Sequence, residues 1–282
     1  MLNPTSDQLP ALPPRPIDGH KGLFGNVLVV GGSVDVIGAP SFAALAALRL
    51  GSGLVHLAVP RPILAACLTI VPEAVGLGLS GKIPAEAIDK ADAIVLGPGL
   101  GQSPRAKQWV KQLIAVEKPM VIDADALNIL SQSKRWPANF RAKAVLTPHP
   151  GEMRRLAHLV GRTDVPSDEQ GRIDLAAVTA EKLGVVIVLK GHRTAIADGE
   201  QFAINETGDS SLSKGGSGDI LSGMLGCFLG QKMDRFDAAR LATHLHGRAG
   251  ELAGQKLGRR SVLARDVIDA IPAAIAELEA RV

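Results

Sequence analysis

Apolar runs of strand length alternate with longer segments of helical spacing along most of the 282-residue chain. The run Asn26-Val27-Leu28-Val29-Val30 stops at Gly31-Gly32-Ser33 and predicts the first core strand, and the Ala- and Leu-rich stretch 40–50 predicts the helix after it. Further strands are predicted over 54–59, 93–96, 120–123, 143–147 and 185–189, and helices over 104–116, 151–160 and 175–183. These strand segments are apolar nearly throughout rather than alternating, which suits strands covered on both faces. Their alternation with helices predicts an α/β fold with a mainly parallel sheet and crossover helices. Residues 194–204 break the rhythm, because Asp198-Gly199 separates two short alternating runs and signals a hairpin turn, so the sheet is expected to end in antiparallel strands. After Gly218 the chain reads as helical over 219–229, 236–253 and 264–280. No repeat, linker or shift in composition divides it, so one domain over 16–282 is expected, preceded by a loose, Pro-rich arm at 1–15.

Composition narrows the class. Hydrophobic residues make up 46% and charged residues 21%, a globular profile far from that of disorder. The net charge of +3 comes with no basic block longer than two residues, which is too sparse for a nucleic-acid footprint. Cys67 and Cys227 lie far apart in apolar surroundings without metal-ligand spacing, so both are expected to be buried small hydrophobes. The first residues lack the cationic start and apolar run of a signal peptide, and the longest uncharged stretch, 36–48, falls short of the ~18 residues of a membrane span. A cytoplasmic location is the expectation.

In open α/β sheets, ligands bind beyond the carboxyl ends of the strands. The strongest candidate segment is Lys214-Gly215-Gly216-Ser217-Gly218-Asp219, just before an apolar helix. Glycines at 215, 216 and 218 let backbone amides around Ser217 converge on an anion, and the helix start adds the positive end of a dipole. Asp219 can then accept a hydroxyl proton as that hydroxyl attacks phosphorus, or it can simply cap the helix. Lys190-Gly191-His192-Arg193-Thr194 follows a buried strand and offers a basic turn for nucleotide phosphates or ribose. In Thr147-Pro148-His149-Pro150-Gly151-Glu152 two prolines hold His149 in a defined place, and Glu152 suits the first turn of a helix. Gly97-Pro98-Gly99-Leu100-Gly101 is a third loop where backbone can approach a ligand closely or merely turn. Asp123 and Asp125 end another strand, where they can cap the next helix or assist a magnesium–phosphate complex through water; capping is the simpler reading. His20-Lys21 can place a cation near substrate or stay solvated. His244 and His246, two apart on a helix, point to different faces and do not make a metal pair.

Together these segments resemble the ADP/ATP-dependent NAD(P)H-hydrate dehydratase family of the ribokinase-like superfamily, from about His20 to at least Gly250. The resemblance rests on His20-Lys21-Gly22 through Gly31-Gly32-Ser33, Gly38-Ala39-Pro40, Arg49-Leu50-Gly51-Ser52-Gly53-Leu54-Val55, Gly97-Pro98-Gly99-Leu100-Gly101, Asp123-Ala124-Asp125-Ala126-Leu127-Asn128, Thr147 to Glu152, Lys190-Gly191 and Gly215-Gly216-Ser217-Gly218-Asp219. It implies a three-layer α/β/α sandwich and a hydro-lyase that repairs hydrated NADH and NADPH while converting ADP to AMP and phosphate, with ATP as the other donor. It implies that Ala39, Gly101, His149 and Asp219 contact the hydrated dinucleotide, and that Lys190 to Thr194 and Gly218 contact the adenine nucleotide. Magnesium and a homotetramer are implied in the same way. Bacterial relatives often carry an epimerase domain in front; with no room for one here, a separate epimerase acting on the same substrate is expected. This chain departs from the family in having Asp209-Ser210-Ser211-Leu212 after Thr207-Gly208, and Ser213-Lys214 before the glycines. A small-molecule kinase of the same fold, of the hydroxymethylpyrimidine or hydroxyethylthiazole type, and a silent nucleotide-binding protein are the alternatives.

Overall fold

In the computed structural model, which describes residues 3–5 and 8–280, ten strands form one sheet. They are β1 (Asn3–Pro4), β2 (Asn26–Val30), β3 (Leu54–Pro60), β4 (Val75–Leu79), β5 (Ala93–Leu96), β6 (Pro119–Ile122), β7 (Lys143–Leu146), β8 (Val186–Leu189), β9 (Thr194–Ala197) and β10 (Gln201–Asn205). Their spatial order is β1-β10-β9-β8-β7-β6-β5-β2-β3-β4. Pairing is parallel from β4 across to β8, whereas β9 is antiparallel to both β8 and β10, the hairpin expected around Asp198-Gly199. The helices are α1 (Gly38–Leu50), α2 (Leu64–Ile70), α3 (Ala85–Lys90), α4 (Pro104–Leu113), α5 (Ala124–Ser131), α6 (Pro150–Leu156), α7 (Glu169–Leu183), α8 (Ser217–Gly230), α9 (Arg235–Leu257) and α10 (Ala264–Glu279).

The unbroken apolar character of the strands has a direct structural cause. Val27, Val29, Val95 and Val121 face a core completed by α1, α8, α9 and α10, while their neighbours Leu28, Val30, Leu96 and Ile122 face a second core with α4 to α7. Both faces of the sheet are thus covered, giving three α/β/α layers. On the first face α8 lies very close to α1: a Cβ at Gly223 would sit 2.0 Å from the Ala43 carbonyl oxygen.

The pattern missed β1, α2, α3 and β4 and misplaced the bounds of two helices. Strand β4 carries glycines at 76 and 78, which weaken its strand signature, and the side chains of Leu64 and Leu68 from α2 occupy the space a Cβ would need at Gly76. The helix expected at 175–183 begins at Glu169, where the Asp168 carboxylate accepts from the Gly171 amide as its cap. The segment 151–160 divides into α6 and a 3-10 turn, Ala157–Val160. Of residues 1–15, Met1, Leu2, Ser6 and Asp7 lie outside the described residues. Asn3 and Pro4 pair with Gln201 and Phe202, and the Arg15 guanidinium lies 4.0 Å over the Phe24 ring. Cys67 and Cys227 are buried free thiols. No helix among the described residues is long and apolar enough to cross a membrane.

Candidate active site

A cavity of about 660 Å³ opens beyond the carboxyl ends of β6, β7 and β8, between the start of α8, the loop 207–214 and one face of α9. Its anion-binding corner is the start of α8. Gly216 occupies the N-cap position at φ +94°, and a Cβ there would come within 2.9 Å of both Ala264 and Phe42, so glycine is required for conformation and for space. No side chain caps this helix, which leaves the first-turn amides of Gly218 and Asp219 without a side-chain acceptor.

Asp219 follows in the first turn of α8. Burial, reinforced by the negative charge of Asp123, pushes its carboxyl pKa up to about 7, with Lys190 opposing the shift. Lys190 reaches in from the end of β8 and donates to Asp123 Oδ1 at 2.8 Å. Burial works against its charge, but Asp123, Glu152 and Asp219 outweigh that cost and hold its pKa above the ordinary lysine value.

The capping role expected for Asp123 is not what the structure has. Asp123 stands at the N-cap of α5 but makes no side-chain cap bond; only 1% exposed, its carboxylate accepts from Lys190 and, at 2.7 Å, from Ser222 Oγ. The following residue, Ala124, is held at φ +51°, a left-handed conformation that costs a residue with a Cβ on the order of 1 kcal/mol. The ion pair across the sheet end wins over the local cap. Asp125 accepts from the Gly101 amide at 2.8 Å and so braces the loop 97–101.

His149 is the N-cap of α6. Its Nδ1 accepts from the amides of Gly151 (3.0 Å) and Glu152 (3.4 Å), while Glu152 Oε2 accepts from the His149 amide at 2.9 Å, a reciprocal capping box. Burial and then the positive charge of Lys190 lower the His149 pKa, so the ring is neutral at pH 7 with its proton on Nε2. Burial raises the Glu152 pKa, and Lys190 counteracts it.

Of the residues singled out from sequence, Asp123, His149, Glu152, Lys190, Gly191, His192, Thr194, Lys214, Ser217, Gly218 and Asp219 line the cavity. Arg193 instead pairs with Glu169 and Glu206 and faces a neighbouring groove. Gly215 is exposed beside the corner, and Gly216 forms the turn into it. Ala39, in the first turn of α1, and Gly101, after β5, are not among the residues that line this cavity, although a Cβ on Gly99 would lie 3.1 Å from Ala39 Cβ and Asp125 ties Gly101 to α5. Lys21 is exposed and lies off the cavity wall.

His246 is the site residue that sequence reasoning missed. It is buried on α9 with Nε2 3.2 Å from Ser217 Oγ, and burial, then Lys190, depresses its pKa to about 4. The two-residue spacing correctly separated it from His244 but carried no sign that α9 turns this face to the cavity. The unusual loop is also explained. Asp209 accepts from the Ser211 amide and pairs with Arg259 at 2.6 Å, and Lys214 donates to the Arg260 carbonyl at 2.9 Å, so both departures are tied to the turn after α9. Among the described residues no three His, Cys, Asp or Glu side chains are grouped to hold a metal.

A covered, mainly parallel sheet with a glycine-formed helix start, a buried lysine and an aspartate at its carboxyl end gives this α/β protein a ribokinase-like fold. Arabidopsis thaliana ribokinase shares that fold at 12% identity, with a TM-score of 0.55 over 88% of this chain and 98% of that one. The family model described as NAD(P)H-hydrate dehydratase matches residues 27–273. The chain is 40% identical over 285 residues to the bifunctional NAD(P)H-hydrate repair enzyme of Moorella thermoacetica, covering 96% of this chain and 53% of that protein. The ADP/ATP-dependent NAD(P)H-hydrate dehydratase of Bacillus subtilis, co-crystallised with ATP/Mg2+, superposes with a TM-score of 0.82 at 32% identity over 94% of both chains. The chain therefore belongs to the NAD(P)H-hydrate dehydratase family. It spans about half the length of the curated relatives it matches.

Proposed function

We propose that this chain dehydrates hydrated NADH and NADPH, using ADP or ATP as phosphoryl donor. The observation that carries the reading is the position of Asp219, with a raised pKa, in the first turn of an uncapped helix that opens into the same cavity as Lys190 and His149. Hydroxide is a poor leaving group, so the ring hydroxyl of the hydrate must be activated before it can depart. Asp219 takes the hydroxyl proton as the oxygen attacks the terminal phosphorus of the nucleotide, and the bond to the shorter nucleotide breaks. The amides of Gly218 and its neighbours, with the Lys190 ammonium, stabilise the transferring phosphoryl charge. The lone pair of the ring nitrogen then expels phosphate, and loss of the adjacent ring proton restores the dihydronicotinamide.

Ala39, Gly101 and His149 are assigned to the dinucleotide, and Lys190 to Thr194 with Gly215 to Gly218 to the nucleotide. Magnesium would enter as part of the nucleotide co-substrate, where it would neutralise phosphate charge, and a cavity carboxylate such as Asp123 or Glu152 could help to hold it. The family reading also brings a homotetramer and an epimerase as the partner activity that interconverts the hydrate epimers. Product accounting tests the reading. Incubation with hydrated NADH and ADP should yield NADH, AMP and phosphate in equal amounts. A stable phosphorylated product without NADH would instead make the protein a small-molecule kinase.

A further inference from the structure

We propose that Asp123 is the positioning residue that holds the Lys190 ammonium against the anion-binding start of α8. The inference rests on the reading of this cavity as the nucleotide site and adds to it a residue of the cavity wall that acts through Lys190. Asp123 has the extended backbone of a helix cap, yet its carboxylate turns away from α5, and the left-handed Ala124 lies at the turn. Both oxygens are committed elsewhere, Oδ1 to Lys190 Nζ at 2.8 Å and Oδ2 to Ser222 Oγ at 2.7 Å. Ser222 lies on α8 one turn beyond Asp219, so a single buried carboxylate joins the ends of β6 and β8 to the helix that forms the anion corner. A Cβ at Gly218 would stand 3.1 Å from Lys190 Nζ and 3.7 Å from Asp123 Oδ2, which places the ion pair directly under the first turn of α8. Glu152, at 4.0 Å from Nζ, is beyond hydrogen-bond reach and does not substitute as the anchor.

The arrangement answers a physical need. A lysine is a point charge on a flexible four-carbon stem, and unanchored it spreads its charge over several positions. Stabilisation of a transferring phosphoryl group requires the charge at one fixed place. Asp123 supplies that constraint through Lys190, with Ser222 fixing the carboxylate in turn.

The test is residue-resolved acylation of lysines in the nucleotide-free protein by an amine-reactive ester, read by peptide mass spectrometry with the exposed Lys107 as internal reference. Because labelling needs no substrate, its outcome is separate from that of any dehydratase assay. Asp123→Asn should label at Lys190 about ten-fold faster relative to Lys107. The same variant should lose about ten-fold or more in kcat, with Asp123→Glu recovering part of both properties. Ser222→Ala keeps the charge and loosens its holder. It should accelerate Lys190 labelling about two-fold, which keeps the test open should Asp123→Asn fail to fold. Lys190 labelling that is unchanged in the folded variants would overturn the proposal. So would activity of Asp123→Asn restored by excess magnesium with labelling unchanged, since that would assign Asp123 to the cation.

Discussion

At the residue scale, Asp219 is burdened by the environment that makes it useful. A carboxylate whose pKa is raised to about 7 is a stronger base than an ordinary aspartate, and kcat/KM for the hydrate should rise with pH through about 7 and level off above it. A profile flat across neutrality would contradict a base at this position. The same shift has a stability consequence. The folded pKa lies above the ordinary value of 3.8, so ionising Asp219 costs nothing below about pH 4, increasingly more as pH rises to about 7, and a constant amount beyond. Asp219→Asn carries no such cost. It should be more stable than the parent at pH 8 by up to ~4 kcal/mol, with the difference gone by about pH 4, while turnover falls by about 1000-fold. Urea unfolding at the two pH values and a turnover assay check both halves. Sequence picked out Asp219, His149 and Lys190, which line one cavity, because each follows a strand or opens a helix, but it misjudged Asp123. The choice between capping and pairing depends on Lys190, 67 positions away, and on Ser222, 99 positions away. Local spacing holds no record of either.

At the element scale, most strands and long helices were legible because apolar runs and glycine or proline punctuation coincide with their ends. The doubly buried strands read as continuous runs, and the hairpin of β9 and β10 was marked by Asp198-Gly199. Strand β4 was not, because its two glycines trade strand propensity for close packing beneath α2. The helix α8 makes a similar trade where it bears on function. Gly223 lets it rest on the backbone of α1, and that contact sets where its first turn, and so the anion corner, is presented. Gly223→Ala would drive a Cβ to 2.0 Å from a carbonyl oxygen that cannot swing aside. It should cost ~3 kcal/mol of stability, measured by the urea midpoint. An unchanged midpoint would show that α1 and α8 separate freely.

At the scale of the whole molecule, two apolar cores clamp the sheet while its carboxyl edge is left to charged and neutral polar groups. Lys190 stands among three carboxylates, and of the imidazoles lining the cavity His149 and His246 have lowered pKa values, so a phosphate entering the corner meets open amides and the positive charge of Lys190. Binding should be visible as stabilisation. ADP with magnesium at about 100 times its Kd should add ~2.7 kcal/mol and raise the Tm by about 5 °C, whereas no shift at saturating ADP would place the nucleotide elsewhere. The loop 207–214 is held by Glu251, Arg259 and Arg260 around the same cavity and leaves it open. The measurement that bears most directly on the whole account follows the absorbance of the reduced nicotinamide ring after the protein is added to hydrated NADH with magnesium, in parallel with ADP, with ATP and with no nucleotide. The account predicts a rise only where a nucleotide is present, absent for Asp219→Asn. No rise with either nucleotide, from folded protein that binds ADP, would contradict it.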